Sequence, residues 1–250
     1  MKIDKKVKEA IFFKKNTPFK FVYFFFNKLF SYFKYNKSFS QGSMDLILLN
    51  IFRNKKRGTY VDVGCQHPIR NNNTYLLFKQ GWTGINIDLD KINIELFNYN
   101  RPNDYNINSA VSDKIEEVDL FYYHQKSPIN TLSKDVSNKH DVKIEKVIKI
   151  KTNTLTKIIE NTKIKEIDIL SVDVEGFELK VLSGLDFSKY EPKVIIVEFL
   201  DLNSTKWEIP YNNFDNVINS KIYQFLILKN YKFVNWVNGD LVFVSENFTG

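Results

Sequence analysis

The amino-acid sequence predicts an open α/β fold: a mostly parallel sheet with helical crossovers, closed by a C-terminal antiparallel hairpin. Two segments carry most of that expectation. Thr59-Tyr60-Val61-Asp62-Val63-Gly64 and Gly84-Ile85-Asn86-Ile87-Asp88 each read as a short buried strand ending in an acid, one helical crossover apart. The third observation is Asn238-Gly239 between two extended runs, a type I′ hairpin signal. The plainer alternative for the first two is a pair of ordinary core strands with acids in their loops.

Taken in order, residues 5–35 read as helical, with Pro18 near the start of a second segment. After a polar break at 36–43, residues 44–52 make a helix in which Met44, Ile47, Leu48 and Ile51 share a face. Lys55-Lys56-Arg57-Gly58 ends it with cations and a glycine stop. The first strand is 59–63. Residues 74–79 form the next helix, stopped by Gly81, and 83–87 the second strand. A helix over 92–99 ends before Pro102. Residues 104–111 read as a third strand leading into Ser112-Asp113. Residues 118–123 alternate as an extended side hairpin, and 124–146 is a polar loop or lid over the pocket. A short extended piece at 147–150 and a helix at 154–160 follow. The fourth strand, 168–172, ends at Asp173, a helical turn spans 178–182, and the fifth strand is 194–199. A helix at 222–229 precedes the hairpin of 231–237 and 240–244. No internal repeat is apparent. The organisation expected is a helical extension over 1–40 and one α/β domain over 41–250.

The chain of 250 residues holds one full α/β core with a modest appendage. A formal net charge of +7 permits acidic partners. Much of that excess lies before residue 60 and in 139–165, and no zinc finger, helix-turn-helix or arginine-rich tail is present, so a nucleic-acid partner is not expected. The single cysteine, Cys65, excludes an internal disulfide and fits a reducing, cytoplasmic compartment. The charged start is broken by Lys14, Lys15 and Asn16, which disfavours a secretory signal. Residues 19–33 are different, being nearly all aromatic and aliphatic around Lys20 and Lys28. As a helix this segment is greasy around much of its circumference and too short to span a membrane comfortably. It is expected to pack on the core, to pair with a second copy as a homodimer, or to lie peripherally at the inner membrane face.

A doubly wound dehydrogenase carries a Gly-x-Gly-x-x-Gly turn after its first strand. Here the turn is Asp62-Val63-Gly64-Cys65-Gln66-His67-Pro68, with a single glycine. That argues against pyrophosphate and for a ligand without phosphates at that point. S-adenosylmethionine, zwitterionic at one end and cationic at sulfur, is such a ligand. Asp62 would hold its polar tail, Gly64 would let backbone approach, and Asp88 would accept hydrogen bonds from the ribose diol.

From about Ser40 to Val244 the chain resembles the FkbM-type S-adenosylmethionine-dependent methyltransferases. Ser40-Gln41 with Asp45-Leu46 is similar to the family's opening helix, with Met44 where a glutamate is usual. Val61-Asp62-Val63-Gly64 with His67-Pro68 resembles its first cofactor motif. Gly81-Trp82-Thr83-Gly84-Ile85-Asn86-Ile87-Asp88 resembles its Gly-Trp block, with Asp88 in place of glutamate. Arg101-Pro102 and Ala110-Val111-Ser112-Asp113 match the next two blocks. The most specific is Asp168-Ile169-Leu170-Ser171-Val172-Asp173-Val174-Glu175-Gly176-Phe177-Glu178, continuing through Val181-Leu182-Ser183-Gly184 to Pro192 and Val197-Glu198. The resemblance implies a class I, Rossmann-like fold with a seven-stranded sheet. It also implies O-methylation, most often of a sugar hydroxyl in a glycan or a nucleotide-linked saccharide.

Methyl transfer from a sulfonium requires an acceptor hydroxyl held in line with the methyl and relieved of its proton. His67, at the pocket rim with a reference pKa of about 6.5, is the sequence-level base; a structural loop histidine is the alternative. Asp173, Glu175 and Glu198 fall at neighbouring strand ends, where they can bind Mg²⁺ or Mn²⁺, orient sugar hydroxyls or supply the base. The Asp-x-Glu-Gly turn can equally be structural. Ser112 and Asp113 are candidates for the adenine end. No Cys/His cluster suggests zinc.

Overall fold

In the computed structural model the described residues are Val22, 37–200, 214–237 and 239–249. The chain divides into two compact units, Met1–Lys37 and Ser38–Gly250. The helix expected at 5–35, with its dimer or membrane role, lies outside the described residues apart from Val22, which is helical.

The strands of the second unit are β1 (Thr59–Val63), β2 (Thr83–Asp88), β3 (Tyr105–Asn108), β4 (Ala110–Ser112), β5 (Glu117–Tyr122), β6 (Lys146–Thr154), β7 (Ile169–Val172), β8 (Val194–Glu198), β9 (Tyr231–Val237) and β10 (Asp240–Ser245). Its helices are α1 (Met44–Ile51), α2 (Tyr75–Lys79), α3 (Lys91–Asn100), α4 (Lys134–Ser137), α5 (Leu155–Glu160), α6 (Glu178–Ser183), α7 (Phe214–Ile218) and α8 (Lys221–Leu228). Seven strands form one sheet in the order β3-β2-β1-β7-β8-β10-β9. All pairings among β3, β2, β1, β7 and β8 are parallel, and β10 is antiparallel to both β8 and β9. The parallel core and the terminal hairpin are thus as the sequence predicts.

Strands covered on both faces must place alternate side chains into two cores. Val61 and Val63 of β1, Leu170 of β7, Ile195 and Val197 of β8 and Leu241 of β10 enter one core with α5 and α6. Tyr60, Ile169, Val194, Ile196 and Val242 enter the other with Met44, Leu48 and Leu77 of α1 and α2. This parity sets which way every acid at the strand ends points. Asp62 continues the Tyr60 face, Asp173 the Ile169 face, and Glu198 the Ile196 face.

Residues 104–111 are not one strand. β3 ends at Asn108, and β4 belongs to a second, three-stranded sheet of order β4-β6-β5. Ser109 N–H donates to Asp88 O (3.1 Å) and Asn108 Nδ2 donates to Asp88 O and Leu89 O, both at 2.9 Å. These bonds turn the chain off the main sheet beside β2. The side hairpin is β5 against β6, and β6 runs nine residues rather than the four expected at 147–150. The polar 124–146 segment is anchored rather than loose, with Thr131 and Leu132 buried and Phe121 bridging Thr131. The sequence pattern does not signal α7. No helix among the described residues is long and apolar enough to cross a membrane.

Candidate active site

The chain leaves β1 toward β2 and β3 on one side and comes back to β7 on the other. The carboxyl ends of the strands part there into a crevice. Gly64 is its floor: with φ at +80°, a Cβ would sit 1.6 Å from the Asp173 carbonyl oxygen. Only glycine fits this approach. Gly64 N–H donates to Ile87 O (2.9 Å) and Asp173 N–H to Val63 O (3.0 Å), stitching β1 to both neighbours. Above this floor lies a cavity of about 240 Å³, with Asp88, Asp90 and Asn93 on one wall and Asp173, Glu175 and Glu198 on another.

Asp88 ends β2 at the cavity wall. Its Oδ2 accepts Gln66 N–H (2.9 Å), and its Oδ1 accepts Asp90 N–H (2.7 Å) and Asn93 Nδ2 (3.3 Å). A carboxylate has about four acceptor positions, so capacity remains for a ligand diol. Burial raises its carboxyl to about 6, against backbone hydrogen bonds that favour the charge. A ribose diol donates to the ionised form, so affinity should be full above that value and fall as pH drops through it. Calorimetry with S-adenosylhomocysteine should find binding about tenfold weaker at pH 5 than at pH 7.5. The dependence should flatten in Asp88→Asn, and a pH-independent affinity in wild type would separate Asp88 from the ligand.

Sequence reasoning missed Asp90, although the Asp-x-Asp spacing ahead of a helix was a usable signal. Its Oδ1 caps α3 at Ile92 N–H (2.9 Å), and its Oδ2 accepts Lys126 N–H (2.6 Å), tying the 124–132 loop to the cavity rim. Ser127, Asn130 and Leu132 from that loop line the cavity. Ser109, Ala110 and Val111 line it beyond Asp88, whereas Ser112 and Asp113 lie past the wall, hydrogen-bonded to each other at 2.9 Å.

Asp62 lies behind the wall rather than in it. Its Oδ2 accepts Asn72 Nδ2 (3.1 Å) and Thr74 Oγ1 (2.9 Å). Burial raises its carboxyl, and the nearby Arg101 guanidinium opposes the rise. Arg101 is wholly buried and donates to Pro68 O (2.6 Å), Asn72 Oδ1 (2.7 Å) and Thr74 Oγ1 (2.8 Å). This hub fixes the loop from Gly64 to Thr74 that frames the cavity. His67 sits on that loop but not on the cavity wall. Its Nδ1 accepts Ile69 N–H (3.1 Å) and Arg70 N–H (3.0 Å), and Arg70 Nε lies 3.3 Å from Nε2. Partial burial, with Arg70, Lys126 and Arg101 nearby, lowers its pKa.

The opposite wall is acidic. Asp173, Glu175 and Glu198 each bring one carboxylate oxygen within 4.8 Å of the others. Asp173 opens to solvent through the cavity, yet the protein around it raises its carboxyl to about 6, with a hydrogen bond to Glu198 opposing the rise and the Asp62 and Asp88 charges adding to it. Burial followed by Asp173 and Glu178 raises Glu175 to about 8. Glu198 is pushed well up, first by burial and then by Asp173, Glu175, Glu178 and Asp240. Asp240, opposite Glu198 across the hairpin register, is raised to about 7 by burial and then Asp173. The turn before α6 is braced by Glu178, whose Oε1 accepts Val174 N–H (3.1 Å) and Gly176 N–H (2.9 Å).

A seven-stranded sheet in this order, with β10 alone reversed and a cavity at the switch point, defines a class I methyltransferase-like fold. The family model described as the methyltransferase FkbM domain matches residues 62–233, and the chain belongs to that family of methyltransferases. No curated protein and no solved structure gives a match to this chain.

Proposed function

We propose that this protein transfers a methyl group from S-adenosylmethionine to a sugar hydroxyl, in a glycan or a nucleotide-linked saccharide. The observation that carries the proposal is one cavity with a diol-accepting carboxylate, Asp88, on one wall and an acidic group, Asp173, Glu175 and Glu198, on another. S-adenosylmethionine supplies an electrophilic methyl on a cationic sulfur. The residues fit such a ligand: Gly64 lets the Asp173 backbone close against the cavity floor, and the acids favour a cation over the pyrophosphate of a dinucleotide.

In this reading Asp88 holds the ribose and the Asn93 amide steadies Asp88. Glu198 orients the acceptor hydroxyl, and Asp173, the less strongly raised of the two, takes its proton as the new carbon–oxygen bond forms. The electron pair of the breaking carbon–sulfur bond stays on sulfur, which leaves as a neutral thioether. His67, with Nδ1 occupied by two backbone N–H groups, braces the loop. Asp62 acts on the cofactor through Asn72, Thr74 and the loop they fix.

Incubation with methyl-labelled cofactor and separate pools of sugar nucleotides, glycan fractions, lipids and RNA tests the assignment. Label is expected in a sugar ether. Asp173→Asn should lower turnover by about 10²-fold or more, and His67→Gln much less. Label confined to lipid, protein or RNA would replace the acceptor class. No transfer to any pool by a protein that binds partners through residues 1–40 would favour a non-catalytic scaffold.

A further inference from the structure

We propose that Asp173, Glu175 and Glu198 form a binding site for one hard divalent cation of the Mg²⁺ or Mn²⁺ class. The site stands on its own geometry; its role in activating an acceptor rests on the methyl-transfer reading above.

Three carboxylate oxygens lie within 4.8 Å of one another. Around a six-coordinate cation with bonds of about 2.1 Å, ligand oxygens stand about 3.0 Å apart when adjacent and 4.2 Å when opposite. Small side-chain rotations therefore close the group onto an ion. The donors are all carboxylate oxygen, which selects a hard cation over zinc or copper. A second observation points the same way: Glu198 meets Asp173 through a side-chain hydrogen bond, yet its buried Oε2 has no partner, and the residue lines the cavity. A buried carboxylate oxygen left without a partner carries a large desolvation cost that a cation removes.

The surroundings are built to hold these acids together. Glu175 adopts a left-handed backbone with φ at +55°, a strained conformation for a residue with a side chain. Thr131 Oγ1, donating to Glu175 O at 2.6 Å, and the Glu178 brace keep it there. Asp240 stands opposite Glu198 as a further acid. Among the described residues no lysine or arginine forms a salt bridge with Asp173, Glu175, Glu178, Glu198 or Asp240. Asp168, by contrast, at the other end of the sheet, is met by Lys55 and Lys193. The cation would offset the acids' repulsion, and its remaining positions suit water or a vicinal sugar diol.

The test is Mn²⁺ titration of the full chain, without cofactor, by electron paramagnetic resonance and calorimetry at pH 7.5. One Mn²⁺ per chain is expected, with Kd at or below about 1 mM. Glu198→Gln and Glu175→Gln should each weaken binding tenfold or more, and Glu166→Gln, altering an exposed acid far from the cavity, should not. Unfolding midpoints measured on the same samples show that each variant is folded. S-adenosylhomocysteine binding is measured on the same samples. A protein that binds the nucleoside but no Mn²⁺ at millimolar concentration overturns the cation site and leaves the methyltransferase reading intact. Mn²⁺ binding undiminished in both cavity variants also overturns it. Mn²⁺ bound with the expected variant pattern but no nucleoside bound supports the site and counts against the cofactor reading.

Discussion

Gly64→Ala is expected to cost this protein both its cofactor site and a large part of its stability. The added methyl would sit 1.6 Å from the Asp173 carbonyl oxygen and 2.7 Å from its carbon, so backbone must move. Neither β1 nor β7 can yield cheaply, because each is paired on both edges and their ends are tied by Gly64 N–H to Ile87 O and Asp173 N–H to Val63 O. Destabilisation of about 3 kcal/mol or more, a fall in Tm of about 6–12 °C, and loss of nucleoside binding should follow. Gly81→Ala separates clash from backbone preference: φ there is +89°, and an added methyl would meet nothing within 4 Å. Its cost should be about 1 kcal/mol, the backbone strain alone. Equal effects at the two glycines, read by denaturant unfolding, would contradict the close-approach account.

Arg101→Met should destabilise the domain by about 3–5 kcal/mol, because it removes the buried cation beside Asp62 and Asp104 and orphans the acceptors on Pro68 and Asn72. The deficit has a definite pH dependence. Burial raises both carboxyls, and Arg101 holds them lower than they would otherwise be. Without it they rise further, so the folded variant ionises them at greater cost than the wild type does. The stability lost is therefore largest at pH 7–8 and shrinks as pH falls and the acids take up protons. Unfolding curves at pH 8 and 5.5 should converge for wild type and variant at the lower value. A constant difference would assign the loss to packing against Tyr75, Phe78 and Phe97 instead.

The parallel strands and their order of burial were legible because both faces are covered, and continuous apolar runs between acids and glycines have few other solutions. The direction of each strand-end acid was legible in principle too. Period-two alternation puts Tyr60 and Asp62 on one face, so Asp62 follows Tyr60 toward α2 and its polar loop. What the pattern could not show was that Thr74, Asn72 and Arg101 would occupy Asp62 from a distance in sequence. The break at Ser109 was hidden for a related reason: β3 and β4 are both extended, and only their partners differ. Asp173, Glu175 and Glu198 were foreseeable as ends of adjacent parallel strands. Asp240 was not, because its place opposite Glu198 depends on the antiparallel register of β10 against β8. His67 was singled out by residue type and proximity to the first strand, and neither property reports that its Nδ1 faces the backbone of its own loop.

The most direct measurement is calorimetric titration of the full chain with S-adenosylmethionine and S-adenosylhomocysteine at pH 7.5, repeated with Asp88→Ala. One molecule per chain should bind, and the variant should bind at least tenfold more weakly through loss of the ribose hydrogen bonds. An absence of binding by wild type at high micromolar ligand, or an affinity unchanged in Asp88→Ala, would contradict the cofactor site at the switch point.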